Sequence, residues 1–270
     1  MPLQQIVASQ QQWAQSRWPD HRGRRAPSLA SNLACPMSED VRASFAAGSG
    51  DELGTAERPG KMFSLRSSSA LSFSFFAPWI GRDLRDLAAV MGCAISDNTL
   101  RFERKFAHGL SSAPPHLDVT LDNEQRRPLG IECKFTEPYG PKQSAAPMER
   151  KYFAGGRLRW QQLGLPRCQT LAIELGRSVE FSRLDARQLL KHLLGLAWST
   201  QAPPRLIYVW FDTKCHEADE HSSEIARFSK SIDGAVEFRA LSYQTVFDQL
   251  RLKAEPVPGY CEYLSTRYFR

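Results

Sequence analysis

Two short apolar segments, His116-Leu117-Asp118-Val119-Thr120-Leu121 and Leu129-Gly130-Ile131-Glu132-Cys133-Lys134-Phe135, constrain this chain more than any other feature. Each alternates apolar and polar residues, the period of a half-buried strand. The stretch between them, Asp122 to Pro128, has the composition of a turn. A hairpin centred on Gln125 sets Asp118 opposite Glu132, Val119 opposite Ile131 and Leu117 opposite Cys133. Directly opposed residues have β-carbons about 4.5–5.5 Å apart. The apolar residues then share one face, and Asp118, Glu132 and Lys134 share the other. Two adjacent carboxylates repel unless a cation lies between them, and a divalent metal is the natural candidate.

This arrangement resembles the PD-(D/E)XK nuclease superfamily, whose signature is an Asp on one strand and a Glu-x-Lys on the next. Here Glu132-Cys133-Lys134 supplies the Glu-x-Lys, and Asp118 follows Pro114-Pro115-His116-Leu117, so the proline does not directly precede the Asp. The resemblance covers residues 80–250, with its specific motifs within 103–134 and 188–192. It implies an α/β fold with a restriction-endonuclease-like core, a mixed β-sheet flanked by helices. It also implies hydrolysis of DNA phosphodiesters with Mg2+ or Mn2+ as cofactor. Asp118 and Glu132 are the expected metal ligands, joined by the carbonyl of Cys133. Lys134 is expected to orient the attacking water and offset negative charge. Members of the superfamily often carry a further Glu upstream, and Glu103 is the candidate, with Glu52 as its rival. Many also carry a Gln followed four residues later by an aromatic residue. Gln188 and His192 have that spacing, and Gln188 is expected to contact the substrate phosphate or a metal-bound water. Glu137 ranks below these.

Each assignment has a plainer alternative. The three charges on the hairpin also suit a solvated sheet face with a surface salt bridge. Glu103, between Arg101 and Lys105 in sequence, also suits an exposed strand, and Gln188 and His192 an ordinary solvated helix face. Two further functional readings stay open: a nucleic-acid-binding protein of the same fold without cleavage, and a nuclease acting on RNA. An intact Asp118, Glu132 and Lys134 favours the enzyme.

The rest of the chain supplies the frame. A helix is expected over residues 4–18, a loop from Arg22 to Pro36, and a surface loop or helix start at Gly48 to Gly54. The Ser-rich aromatic run 67–79 reads as a buried helical or irregular element ended by Pro78. A helix over 82–91 is closed by Gly92. Leu100 to Phe106 alternates as a first strand, completing a three-strand meander. Ser182 and Asp185 match a capping box opening a helix to about Trp198. Arg205 to Phe211 is continuously apolar, as expected of a strand buried on both faces. A last strand (236–241) and helix (243–252) follow. Residues 1–80 are expected to form an N-terminal extension packed on a core of 81–270.

Residues 136–181 form an insertion in that core. Its aromatics among basics, Tyr139, Lys142, Arg150-Lys151-Tyr152-Phe153 and Arg157-Leu158-Arg159-Trp160, suit a nucleic-acid grip or a small aromatic core. The acidic and His-bearing run from Asp212 to His221, with Cys215, matches no standard zinc spacing and reads as a solvated loop.

A net charge of +6 fits a polyanionic partner, most naturally DNA, without requiring one. Residues 101–160 carry 11 Lys or Arg against 7 Asp or Glu, so the basic excess surrounds the hairpin. The six cysteines include no Cys-x-x-Cys pair, which argues against a structural zinc or a disulfide framework. No apolar run approaches transmembrane length, and Met1 to Gln5 lack the basic start and apolar stretch expected of a signal peptide. The expected setting is the cytoplasm, with no membrane partner. A homodimer is one arrangement the resemblance admits, since endonucleases that cut both strands often pair their active sites.

Overall fold

The computed structural model describes residues 2–48, 51–55, 57–93, 99–110, 114–122, 127–141 and 147–269. The centre of the hairpin turn at Gln125, the Ser49-Gly50 step and Lys142 lie outside the described residues.

The protein is α/β. Five strands form one mixed sheet in the order β1 (Leu100–Lys105), β2 (His116–Leu121), β3 (Leu129–Lys134), β4 (Arg205–Trp210), β5 (Glu237–Ser242). The first three make the expected antiparallel meander, and β4 and β5 add in parallel. Parallel neighbours need long crossovers, which helices supply. Before β1 come α1 (Pro2–Arg17), α2 (Glu39–Ala47), α3 (Ser68–Phe76) and α4 (Arg85–Val90). The β3–β4 connection carries α5 (Arg159–Gln162), α6 (Pro166–Glu174) and α7 (Ala186–Thr200). Helix α8 (His216–Ser231) joins β4 to β5, and α9 (Tyr243–Leu250) and α10 (Tyr260–Arg267) close the chain.

Both faces of the sheet are covered, which corrects the half-buried reading of the hairpin. Helix α3 lies on β2 and β3, and α7 packs against β4. Residues Ala70 to Phe76 of α3 are all buried, so this helix is apolar all round, as a helix sealed in a core must be. Across the sheet, a β-carbon on Gly130 would come within 3.2 Å of Leu196 of α7. Strand β4 is buried along its whole length, as its apolar run predicts.

Several local expectations are revised. Asp185, not Ser182, caps α7, its carboxylate accepting the Gln188 N–H at 2.9 Å. Ser182 is taken by Glu224 of α8, which also accepts the amides of Arg183 and Leu184. A distant carboxylate thus overrides the local motif. The run read as a solvated loop becomes the first turns of α8 from His216 onward, with His221 fully buried. Helix α2 falls where no helix was expected, and α10 likewise.

Candidate active site

Strand β3 is where the sheet changes from antiparallel to parallel. The Lys134 carbonyl accepts the Phe211 N–H at 2.9 Å on the β4 side. Alternation along the strand turns the N–H and carbonyl of Cys133 toward β2. The β2–β3 ladder pairs Leu121 with Leu129, Thr120 with Gly130 and Val119 with Ile131, the register expected from the hairpin, and ends there. One step on, side chains meet the Cys133 peptide groups instead. The Asp118 carboxylate accepts the Cys133 N–H at 2.7 Å, and the Ser68 hydroxyl of α3 donates to the Cys133 carbonyl at 3.0 Å. The opening between the strands is thus lined by a carboxylate, a carbonyl and a hydroxyl.

Helix α7 supplies the other wall. Residues 188 and 192 are four apart and share a face. Lys134 Nζ donates to Glu132 Oε1 at 2.6 Å and to Gln188 Oε1 at 2.9 Å. His192 Nε2 lies 3.0 Å from Glu132 Oε2, with both side chains 2 % exposed. That contact is misaligned for a hydrogen bond, so Glu132 Oε2 is buried with no donor. The structure therefore brings Asp118, Glu132, Cys133, Lys134, Gln188 and His192 together, and a solvated sheet or helix face does not describe them.

Glu103 joins from β1 through an irregularity. Its φ is +51°, a left-handed conformation uncommon for a non-glycine residue inside a strand. Its carboxylate lies 3.6 Å from His116 Nδ1 and is only 11 % exposed, which does not fit the plainer alternative of an exposed strand charge. Glu52, its rival, sits on the loop between α2 and α3. Glu52 is among the charges that act on Glu103.

The electrostatics follow from enclosing these groups. Burial, then the charge of Glu132, pushes the Asp118 carboxyl well above its usual range. Burial, then Glu52 and Glu132, raises Glu103 to about 7. Burial also raises Glu52, only partly countered by the Ser69 hydroxyl and Lys61. Glu132 goes the other way: burial opposes its charge, but Lys134 and His192 outweigh it and bring it down to about 2. Burial likewise opposes the Lys134 ammonium, yet Glu132, Glu137 and Asp118 hold it protonated well above the usual lysine range. Lys134 is therefore a fixed positive charge and no base.

The donors suit a hard cation. Magnesium takes one or two carboxylates and fills its remaining positions with water and phosphate oxygens. Asp118, Glu132 with its unpartnered Oε2, and the Cys133 carbonyl make such a partial set. Among the described residues no group of three His, Cys, Asp or Glu forms a ready-made cage.

Two contributors escaped sequence reasoning. Ser68 sits in a serine run that carries no catalytic signal. The contact of His192 with Glu132 was legible only as spacing from Gln188. Conversely, the aromatics of the 136–181 segment are core. Tyr152 and Trp160 are buried, and Trp160 Nε1 donates to the Leu190 carbonyl of α7 at 3.0 Å. Arg159 is buried too, and Lys151 pairs with Glu149. Stacking on nucleic-acid bases is not open to these two rings.

Over residues 5–269 the chain matches the family model REase-ARP, described as Restriction Endonuclease associating with ARP. No curated protein and no solved structure matches it.

Proposed function

We propose, since the chain belongs to the family of restriction endonucleases associating with ARP, that it is a metal-dependent nuclease of the PD-(D/E)XK type acting on DNA. The observation that carries this reading is the enclosed set of Asp118, Glu132 and Lys134, joined by the Lys134 bond to Glu132 and the Asp118 bond to the Cys133 amide, with Glu103 within their field. The carboxylates acting on these groups outnumber the lysines, and Asp118 and Glu103 answer by raised proton affinity. A divalent cation at Asp118, Glu132 and the Cys133 carbonyl would relieve that excess. When bound it supplies an acidified water and neutralises phosphate charge.

The chain's own residues do the rest. Lys134, pinned between Glu132 and Gln188, presents a permanent positive charge to the oxygens of the phosphate as charge builds there. Gln188 fixes the ammonium in place and keeps its amide N–H groups for a phosphate oxygen or water. His192 lies against Glu132 from the helix side and helps to keep it ionised. Glu103, near 7, can accept a proton at neutral pH.

The test is cleavage of supercoiled plasmid and linear duplex by the full chain with Mg2+, Mn2+ or EDTA. Metal-dependent nicking or cutting is expected, falling by about 10²–10⁴-fold in Lys134→Ala and Asp118→Asn. Cleavage that persists in EDTA, or at full rate in either variant with the far-UV spectrum unchanged, sinks the assignment.

A further inference from the structure

A recess of about 480 Å³ lies beside this site, lined by Arg24, Arg25, Lys61 and Arg66 and by serines 64 and 67–69. It shares Glu52 with the catalytic cluster, since the same carboxylate acts on Glu103. Ser68, also in its wall, bonds the Cys133 carbonyl. The recess therefore shares a wall, Ser68, with the groups proposed to cut.

Its charges are held in place by backbone. Arg25 and Ser64 form an antiparallel bridge, and the Leu65 N–H donates to the Arg24 carbonyl at 3.0 Å. Behind the bridge, the buried Asn32 amide donates to the carbonyls of Met62 and Ser64. Arg24, Arg25 and Arg66 thus project from two paired segments. All three are exposed and make no ion pair among the described residues. Lys61 reaches only to 4.0 Å from Glu52. Four cations face two carboxylates, Glu52 and Glu137, so the recess is net positive.

A net positive recess beside that site fits a polyanion whose charges repeat along a backbone. Resting on the nuclease reading, we propose that the Arg24, Arg25, Lys61 and Arg66 recess grips the nucleic-acid backbone phosphates that flank the bond to be cut. Residues 24–25 and 61–69 are then substrate-binding. The 150–160 stretch, the sequence's own candidate for that role, has its aromatics in the core and Lys151 neutralised by Glu149. The arginine forks are the donors that hold phosphate oxygens without reading bases.

The experiment is salt-dependent binding of the full chain to short labelled single strands and duplexes, in EDTA and with calcium. Replacing Arg25 and Arg66 together by Ala should lower the slope of log affinity against log salt. The expected drop is about 1.8 on duplex or about 1.4 on single strands, two phosphate contacts in each case. The Arg25→Lys, Arg66→Lys pair should restore it, which separates lost charge from lost fold. Arg177→Ala with Lys230→Ala, equal in charge lost but far from the recess, should leave the slope alone. Wild-type slope in the double alanine variant, or no binding by the wild type, overturns the proposal. So does a slope that falls only when Arg150 and Arg157 are replaced. A changed slope with no cleavage by the wild type keeps the recess and removes the nuclease reading. Cleavage with an unchanged slope does the reverse.

Discussion

At the scale of the residue, enclosure decides chemistry. Asp118, Glu132 and Lys134 would be ordinary charges on a wet sheet, and under α7 they become a coupled set. The same physics acts on His221, which has no part in the proposed reaction. Its Nε2 lies 3.1 Å from the Tyr208 hydroxyl, and burial lowers its pKa from 6.5 to about 4. The folded value lies below the unfolded one, so the unfolded chain binds protons first as pH falls. Its contribution is therefore intact above pH 6.5 and is lost between 6.5 and about 4. The slope is at most about 1.4 kcal/mol per pH unit in that window. Urea unfolding at pH 7 and pH 5 should show a smaller drop in midpoint for His221→Phe than for wild type; equal drops would show that His221 does not drive it.

At the scale of the element, the site depends on how α7 is started and how closely it lies on the sheet. Glu224 fastens the segment before α7 by accepting three successive amides and the Ser182 hydroxyl. Burial opposes the Glu224 charge, but those donors outweigh it and hold its pKa below 4.5. Glu224→Gln keeps one acceptor and turns an amide NH2 against N–H donors. A loss of about 1–3 kcal/mol at pH 7 is expected in denaturant unfolding. The gap from wild type should narrow as pH falls below 4.5, where the carboxylate's advantage fades. Gly130 tests the close approach. A β-carbon there would meet Leu117 Cδ1 at 2.5 Å and Leu196 Cδ1 at 3.2 Å. Gly130→Ala should cost about 1–3 kcal/mol by overpacking and lower cleavage, because Glu132 is two residues along the same strand. Wild-type stability in that variant would mean that the two leucines can move aside.

At the scale of the molecule, the two ends of the chain close on one buried arginine. Arg267 of α10 is fully enclosed and donates to Gln10 of α1, to both oxygens of Asn32, and to the Tyr263 hydroxyl. Its guanidinium also stacks 4.1 Å from the Trp13 ring centroid. Asn32 in turn holds the 62–64 backbone that carries the basic recess. Arg267→Met removes every one of those donors and strands buried acceptors, each costing about 1–3 kcal/mol. The expected result is a large fall in unfolding midpoint with nucleic-acid affinity reduced alongside it. Loss of stability without loss of affinity would separate the α1–α10 closure from the recess.

Much of the architecture was legible because it rests on periods of two and on short-range apolar pattern. The meander, the register that pairs Val119 with Ile131, and the buried β4 follow from alternation and from which residues water excludes. So did the residue types of the candidate site, since Asp118, Glu132 and Lys134 share strand parity, and Gln188 and His192 share a helix face. What only the tertiary structure decided lies between elements distant in sequence. These are the burial of Glu132 beneath α7, the charge of Glu52 acting on Glu103, the Ser68 bond to Cys133, and the capture of Ser182 by Glu224. Local pattern could not show them. A side chain's neighbours within the strand are set by backbone geometry, whereas its neighbours across the core are set by how the elements pack.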